Sequence, residues 1–489
     1  PTPSPEKAQP YFLDKTSDLD RQLTRFINKV SYFLAMLVTS FSGIRGIYGR
    51  ELTDSIARRF GYCYDSFLGS GKKKVIVGMD TRKSGEQLKQ AIFDSMDAEF
   101  IDVGIVSTPA VELAVREYNA DGGVMITASH NEPEYNGFKF LDKDGAVLRE
   151  RDINAVIEDY REIEKLSEEE FLDKLSTNKK ELQVKNIIKK KKDILDRYYR
   201  FLNKTTNKNS FFEKNHKQLK KIRILIDPNG GSGIVAKDIL ERFGVNVVSI
   251  NDKAGAFKRL VEPNEKSLSY LKDKVKGFSF AAGFDCDADR VELMLSDGSL
   301  VNGNYVLALC AYAMNAKKIV VNDSTSSLIN EIVPEVIETE VGEINVVDKM
   351  YEAKSDISGE GSNGGVIVKP SRCRDGILTL LVIIRLLINK NRSLGEIISG
   401  FPKYYTKAQK IKGVKFGDNL KDRIINYYEK KGFVIKKQKT SIKAVKENSF
   451  VWFRRSKTED CVLRVIVDSD TNEKAMFLYK SCLRIINPP

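Results

Sequence analysis

Ile222-Arg-Ile-Leu-Ile-Asp227, followed at once by Pro228-Asn-Gly-Gly-Ser-Gly233, decides the fold. The aliphatic run reads as a strand, the Pro and Gly cluster as the turn that leaves it, and the residues beyond as a helix. Val245 to Ile250 reads as the next strand. The same unit stands on either side. Upstream, Lys74-Val-Ile-Val-Gly78 is a strand pattern, Gly85 to Ala98 has helical spacing, and Gly123-Val-Met-Ile-Thr127 is a further strand. Downstream, Lys318-Ile-Val-Val-Asn322 repeats the type, with a helix after Ser326. Strands alternating with helices imply parallel or mixed sheets covered by helices, and equivalents lie about a hundred residues apart, so several similar α/β domains are expected. In such sheets the active groups sit in loops at the carboxyl ends of strands.

The tail differs. From Phe401 the rhythm is lost, and Phe450-Val-Trp-Phe453 and Val462-Leu-Arg-Val-Ile-Val467 flank a polar loop. The expectation is three similar mixed α/β sheet domains, over 36–185, 186–299 and 300–400, and a smaller C-terminal α+β domain over 401–489. Residues 1–35 stand apart. They open with Pro1-Thr-Pro-Ser-Pro5 and continue as a polar helical pattern, whereas the first strand-like run, Leu37-Val-Thr-Ser-Phe41, follows Met36. Met36 reads as the natural start, and 1–35 as an N-terminal extension.

Hydrophobic residues make up 42% of the 489 and charged residues 30%, a soluble globular composition. The net charge of +13, from 80 Lys and Arg against 67 Asp and Glu, would attract nucleic acid or a phosphorylated small molecule. Many of the lysines fall between Lys185 and Lys221, and the aromatics there (Tyr198, Tyr199, Phe201) fit a helix face better than a base-stacking platform. The stretch therefore reads as a solvated surface, and no nucleic-acid partner is expected. The six cysteines show no Cys-x-x-Cys spacing, which suggests free thiols in a reducing compartment. The longest apolar run, Ile377 to Ile384, is too short to span a bilayer and ends at Arg385. No targeting segment is evident, and the expected location is cytoplasmic, without a membrane partner.

Gly283-Phe-Asp-Cys-Asp-Ala-Asp-Arg290 carries the sharpest chemistry. In an extended segment Asp285, Asp287 and Asp289 would point one way. Three carboxylates so close repel unless a cation sits among them, and all-oxygen ligation favours Mg²⁺. An EF-hand calcium loop would need Gly where Arg290 stands and an acid where Ser296 stands, so that reading fails. Apolar runs on both sides (Phe278 to Ala282, Val291 to Leu295) place the loop at a strand end rather than in a solvated acidic turn.

Thr127-Ala-Ser-His-Asn-Glu-Pro-Glu-Tyr-Asn-Gly-Phe-Lys139 follows a strand, so Ser129 sits where a loop leaves a sheet. A Ser-His-Asp hydrolase is a poor fit, because sequence neighbours rarely meet as nucleophile and base. A serine that carries phosphate needs instead a metal and cationic donors on the phosphoryl oxygens. Two weaker signals follow. Ser358-Gly-Glu-Gly-Ser-Asn-Gly-Gly365 lets backbone approach a ligand, with Glu360 and Ser362 able to bond sugar hydroxyls, although a plain Gly-rich turn has the same composition. Arg454-Arg-Ser-Lys-Thr-Glu459, with Arg464 on the next strand, has the makings of a phosphate cradle.

Taken together, these loops resemble the α-D-phosphohexomutase family of phosphoglucomutase, phosphomannomutase and phosphoglucosamine mutase, in the family's order from about Met36 to the C-terminus. Ser42-Gly-Ile-Arg-Gly-Ile-Tyr-Gly49 is similar to its N-terminal Gly-x-Arg-Gly loop, which implies that Arg45 contacts the reacting phosphate. Val77 to Ser84 resembles the strand and turn that follow. The resemblance implies that Ser129 is the phosphoserine, with His130 and Lys139 as neighbours of the reaction. It implies that Asp285, Asp287 and Asp289 join Ser129 as ligands of one Mg²⁺ per chain, with Arg290 beside them. Glu360 and Ser362, with Asn363, fall on the sugar-reading loop. Arg374-Asp375-Gly376 matches a landmark of mainly structural use. Arg454, Ser456 and Thr458, with Lys457 and Arg464, fall on the grip for the distal phosphate.

The implied architecture is four domains around a central cleft. The implied activity moves phosphate between the 1- and 6-positions of mannose and/or glucose phosphate, through a hexose 1,6-bisphosphate that also serves as activator. Departures from the family pattern are Cys286 where the metal loop usually has Gly, Asn363-Gly364 in place of a common Gly-His, and Lys457 and Asp460 in place of Gly and Pro. A strand-end position with ordinary φ accepts Cys286, so ligation is expected to survive; the other changes bear on which sugar is read. Phosphoglucosamine mutase is therefore the alternative. A non-catalytic sugar-phosphate sensor on the same fold would have lost the serine or a metal ligand, and all four are present.

Overall fold

The computed structural model describes residues 37–40, 43–178, 186–362, 364–456 and 461–486. The expected extension over 1–35 lies outside them, as do Asn363, Lys457 and Thr458.

The first sheet contains Val38–Ser40 (β1), Gly43–Ile47 (β2), Lys74–Met79 (β3), Glu99–Ile105 (β4), Gly122–Ile126 (β5), Tyr135–Leu141 (β6) and Ile187–Lys189 (β7), in the order β1-β2-β6-β5-β3-β4-β7. The second has Arg223–Asp227 (β8), Asn246–Ser249 (β9), Phe280–Phe284 (β10), Val291–Leu295 (β11) and Leu300–Val301 (β12), in the order β12-β11-β10-β8-β9. The third has Lys318–Asn322 (β13), Glu335–Thr339 (β14), Ile357–Gly359 (β15) and Val366–Val368 (β16), in the order β14-β13-β15-β16.

One four-strand unit recurs in all three. Its first strand pairs in parallel with the second and the third, and the third pairs antiparallel with the fourth. Helices cover the parallel strands, so Val75, Ile76 and Val77 of β3 are all buried and the strand reads as a continuous apolar run. Each antiparallel hairpin then projects a loop from the carboxyl end of its third strand. Those loops are Thr127 to Glu134, Asp285 to Arg290 and Glu360 to Gly365, the three segments singled out by their chemistry.

Two local readings are corrected. The helix expected to reach Ala98 ends at Ser95, because Met96 is already extended and the chain is turning into β4. Within the Lys-rich stretch only Lys191–Thr206 forms the long helix, and Ile187–Lys189 instead pairs with β4. This last strand of the first sheet lies just past residue 185. Ile377 to Ile384 lies in the first half of a buried helix, Gly376–Lys390, capped by Asp375, whose carboxylate accepts from Leu378 N at 2.9 Å. No helix among the described residues is long and apolar enough to cross a membrane.

The fourth sheet is antiparallel throughout: Tyr405–Lys412 (β17), Val434–Lys437 (β18), Ser441–Lys446 (β19), Ser449–Arg455 (β20) and Val462–Ser469 (β21), in the order β17-β21-β20-β19-β18. Helices Asp418–Glu429 and Asn472–Ile486 pack on it around a separate core that includes Ile424, Tyr428, Phe453 and Cys482. One continuous buried cluster runs through the first three sheets, from Ile76 through Ile226 to Ile383, and a smaller one with Leu225, Ala281 and Met294 lies on the other face of the second.

Tyr198, buried on helix Lys191–Thr206, donates to both carboxylate oxygens of Asp375, at 2.7 and 2.8 Å. Tyr198→Phe leaves that buried, helix-capping carboxylate with its backbone donor but without the Tyr198 hydroxyl. A loss of about 1–3 kcal/mol is expected, read as a lower Tm in thermal unfolding.

Candidate active site

Ser129 lies three residues beyond the end of β5 with φ 50°, in the left-handed region that a non-glycine residue rarely adopts. Its surroundings hold it there. Ser129 N donates to Thr127 Oγ1 at 2.8 Å, and Thr127 Oγ1 donates to Asp80 Oδ2 at 2.7 Å. Asp80 follows β3 and pairs with Arg82 at 3.0 Å. The Arg82 guanidinium, buried, donates to four loop carbonyls: Ser129 at 2.9 Å, Asn131 at 2.6 Å, Glu132 at 2.5 Å and Tyr135 at 2.9 Å. Arg82 thus ties the whole serine loop to the end of the neighbouring strand.

The Ser129 hydroxyl donates to Asp285 Oδ2 at 3.1 Å, across 156 residues of sequence. Asp285, Asp287 and Asp289 are all buried and present carboxylate oxygens within 4.8 Å of one another. They converge by a turn, not by strand alternation as expected: β10 ends at Phe284, and Ala288 takes φ 56° to bring the chain back. Cys286 is not among the residues with positive φ. Its carbonyl accepts from Ser232 N and Oγ at 2.7 and 3.0 Å, so its side chain fits without disturbing the aspartates.

Cations surround the triad. Lys139 Nζ lies 2.8 Å from Asp287 and 2.9 Å from Asp289, Arg290 Nε lies 3.8 Å from Asp285 and from Asp289, and Arg374 Nη2 lies 3.9 Å from Asp289. Thr108, at the start of helix Thr108–Glu117, donates from its hydroxyl to Asp287 Oδ2 at 2.6 Å and from its backbone N–H to Asp287 O at 3.0 Å. Arg45, on β2, donates to Asn131 Oδ1 at 3.1 Å. Burial, and then the neighbouring Arg290, lowers the Arg45 pKa to about 10.

Burial and repulsion from Asp289 and Asp287 push the Asp285 carboxyl well above the usual range. For Asp289 burial acts upward too, but Lys139, Arg374 and Arg290 outweigh it and hold the carboxyl low. Burial would lower the Lys139 ammonium, yet Asp287 and Asp289 keep it raised. Arg290, then burial, then Arg45 hold His130 well below the ordinary imidazole value.

Asp287 Oδ1 and Asp289 Oδ1 are buried with no hydrogen-bond partner. Unpartnered carboxylate oxygens in a dry pocket are costly unless a cation takes them. Three hard-oxygen donors on one turn, two with such oxygens, fit a Mg²⁺-type ion.

The third hairpin joins through Arg374. Besides Asp289, it reaches Glu360 Oε2 at 3.5 Å and Glu343 Oε2 at 2.9 Å. Glu360, which also accepts from Asn322 Nδ2 at 3.0 Å and Gly342 N at 3.1 Å, is therefore one ion pair removed from the triad. Gly365 has φ 81° and lies so close that an added Cβ would stand 2.4 Å from Asp289 O, which fixes this loop against the aspartate turn. Ser362 is exposed.

Arg454 and Arg464 face each other across β20 and β21, with Ser456 buried at the strand end. Arg454 Nε is buried without a hydrogen-bond partner. Burial first, then Arg464, lowers the Arg454 pKa, while Asp323, Glu340 and Glu360 oppose the shift. This pair is set near the Glu360 carboxylate rather than among the residues around Ser129.

Four residues escaped the sequence reading as parts of the site: Asp80, Arg82, Thr108 and Arg374. Asp80 and Arg82 lie in a turn read as structural, and Arg374 in a landmark read the same way. Thr108 carries no motif; only its place opening a helix after β4 sets it apart.

Comparison with known proteins agrees with this architecture. Residues 38–167 match the family model described as phosphoglucomutase/phosphomannomutase, alpha/beta/alpha domain I, and residues 302–405 match domain III of the same family. A phosphoglucomutase/phosphomannomutase of Thermococcus kodakarensis is 32% identical over 454 residues, covering 88% of this chain and 94% of that protein. A phosphoglucosamine mutase of Clostridium tetani is 30% identical over 450 residues, with 88% and 94% covered. A phosphoglucomutase structure from Paramecium shares the fold, with a TM-score of 0.74 at 18% identity over 93% of this chain and 96% of that one. The chain belongs to the phosphoglucomutase/phosphomannomutase family, the α-D-phosphohexomutases.

Arg82→Ala leaves buried Asp80 without its counter-ion and removes a guanidinium donor from four carbonyls, of which Glu132 O keeps the Tyr135 N–H. It is expected to cost about 3–5 kcal/mol, seen as a lower Tm, and to raise amide exchange in residues 127–135 above that of β8 and β10. Unchanged exchange there would remove Arg82 as the staple of the loop.

Proposed function

We propose that this phosphohexomutase moves phosphate between the 1- and 6-positions of mannose and/or glucose phosphate, through phospho-Ser129 and a hexose 1,6-bisphosphate. The observation that carries the reading is the buried Ser129 hydroxyl, 3.1 Å from one aspartate of a three-carboxylate turn and ringed by Arg45, Lys139 and Arg290. Phosphoryl transfer asks of a protein mainly positioning and charge neutralisation, which this arrangement supplies.

Asp285, Asp287 and Asp289 would hold the Mg²⁺, which when bound neutralises charge on the phosphoryl oxygens and polarises the phosphorus. The chain's own residues do the rest. Arg82 and Thr127 fix the loop so that Ser129 Oγ faces the turn. Arg45 and Arg290 offer guanidinium donors to the equatorial oxygens. In the forward step the bond from Ser129 Oγ to phosphorus breaks as the bond to a sugar hydroxyl oxygen forms, and the hydroxyl proton passes to a neighbouring group. His130, beside Arg290, and Lys139, between Asp287 and Asp289, are the two candidates for that acceptor. Glu360 and Ser362 read sugar hydroxyls, and Arg454, Ser456 and Arg464, with Lys457 and Thr458, hold the phosphate that is not reacting.

The bisphosphate must turn over before Ser129 takes back the other phosphate. A fourth domain with its own core supports this, because it meets the third through polar contacts that can open. Asp468 accepts from Ser326 Oγ and Ser327 N at 3.0 and 2.8 Å, Thr440 N donates to Glu340 at 2.7 Å, and Ser441 donates to Asp323. Such an interface suits a closing lid better than a fused core would.

A second reading, glucosamine phosphate as substrate, is favoured by the relatives that bear the name phosphoglucosamine mutase. Turnover of mannose, glucose and glucosamine phosphates, assayed side by side on protein primed with hexose 1,6-bisphosphate, separates the two by kcat/KM.

Ser129→Ala should abolish mutase turnover and phosphoryl labelling from the bisphosphate, and turnover near wild type would sink the scheme. Asp287→Asn should lower kcat by about a hundredfold or more and weaken the response to Mg²⁺ together, as expected when one oxygen ligand loses its charge. Chelation of metal from the wild-type protein should stop turnover, and Mg²⁺ should restore it.

A further inference from the structure

A cavity of about 880 Å³ lies on the far side of the first and third sheets. Its walls come from the last turn of helix Thr108–Glu117, the second half of helix Lys191–Thr206, and the amino ends of β13 and β15. One of the three loops of the proposed active site, Glu360 to Gly365, leaves the carboxyl end of β15, at the opposite end of that strand. The ten-residue helix that touches Asp287 through Thr108 reaches the cavity through Arg116, eight residues on, so the two places are about 12 Å apart along it at 1.5 Å per residue.

The lining is strongly basic, and its acids are Glu117 and Asp356. Glu117 is already engaged by Arg197 at 3.0 Å. Lys318 is likewise paired, with Glu335 at 3.1 Å. Among the described residues, Arg200, Lys204, Lys208, Lys317 and Lys354 form no ion pair, yet they line one concavity. Like charges gathered around a cavity repel one another and destabilise the compact state unless an anion joins them. A lone phosphate dianion would leave most of that charge unbalanced. The floor is apolar, with Leu113, Phe201, Met314, Ile357 and Val368. The volume falls in the range of small-molecule sites, of roughly 300–1,000 Å³, rather than of an open track.

We propose that this cavity is a second binding site, separate from the one around Ser129, for a small anion carrying several phosphoryl groups. The basic stretch from Lys185 to Lys221, read from the sequence as a solvated surface, supplies Arg200, Lys204 and Lys208 to it. The multiply charged phosphate chain meets the lysines, and an organic ring attached to it would lie on the apolar floor. The site stands whether or not the hexose phosphate reading is correct, because it uses none of the same residues.

The test is calorimetric titration of the full chain with inorganic tripolyphosphate and, separately, with adenosine triphosphate, at fixed ionic strength without divalent cations. Binding at one equivalent per chain is expected. A Lys204→Ala, Lys317→Ala, Lys354→Ala triple variant, altered only at exposed positions, should keep its Tm and bind both anions about 10- to 100-fold more weakly, three exposed ionic contacts being worth about 0.5–1 kcal/mol each. Saturating hexose 1,6-bisphosphate should not displace either anion. Tighter binding of the nucleotide would point to an organic source that uses the floor; equal binding would point to inorganic polyphosphate. The proposal is overturned by no binding at millimolar anion, by equal affinity in the triple variant, by displacement with the bisphosphate, or by a single-stranded oligonucleotide binding the same lysines more tightly than either anion.

Discussion

Mutual repulsion among Asp285, Asp287 and Asp289 is the constraint around which this molecule is arranged. Three buried carboxylates whose oxygens lie within 4.8 Å cannot all stay charged without compensation. The first sheet answers with Lys139 on β6 and Thr108 at a helix start, the second with Arg290 on the turn itself, and the third with Arg374. Each of the three similar domains therefore contributes a group to one electrostatic problem. Two carboxylate oxygens still lack a hydrogen-bond partner, and hard oxygen donors of this kind suit a divalent cation.

Repetition of one supersecondary unit explains how three domains reach one place. In each sheet the third strand runs into an antiparallel hairpin, and the hairpin loop is where sequence is free of the ladder. One copy carries the serine, the next the aspartates and the next a glutamate in a Gly-rich turn. The loops touch directly, since Gly365 packs on the aspartate turn and Ser129 bonds to Asp285. The same scaffold leaves its opposite edge unused by this chemistry, and there the basic side chains of helix Lys191–Thr206 close a second concavity.

The fourth domain obeys a different rule. Its antiparallel sheet keeps a core of its own, and beyond the entry at Phe401 and Tyr404, which pack on the main core, it meets its neighbour through carboxylates and hydroxyls. Polar interfaces of this kind separate at modest cost, whereas the continuous core of the first three domains does not. Under the proposed function, the serine and aspartate loops and the Arg454–Arg464 pair therefore stand on different parts of one chain.

The sequence by itself determined the local matters: strand and helix alternation, the Asp-x-Asp-x-Asp turn, and a serine placed where a strand releases a loop. These are legible because period and turn chemistry depend on near neighbours. It misjudged how the aspartates converge, because the positive φ of Ala288 has no signature in composition. Tertiary structure alone decided that Ser129 meets Asp285 across 156 residues, that Arg82 gathers four carbonyls of the serine loop, and that Arg374 links Glu360 to Asp289. It also turned lysines that read as a plain solvated face into the wall of a cavity. Such contacts depend on sheet order and on which faces pack together, and those follow from the free energy of the whole chain rather than from any one segment of it.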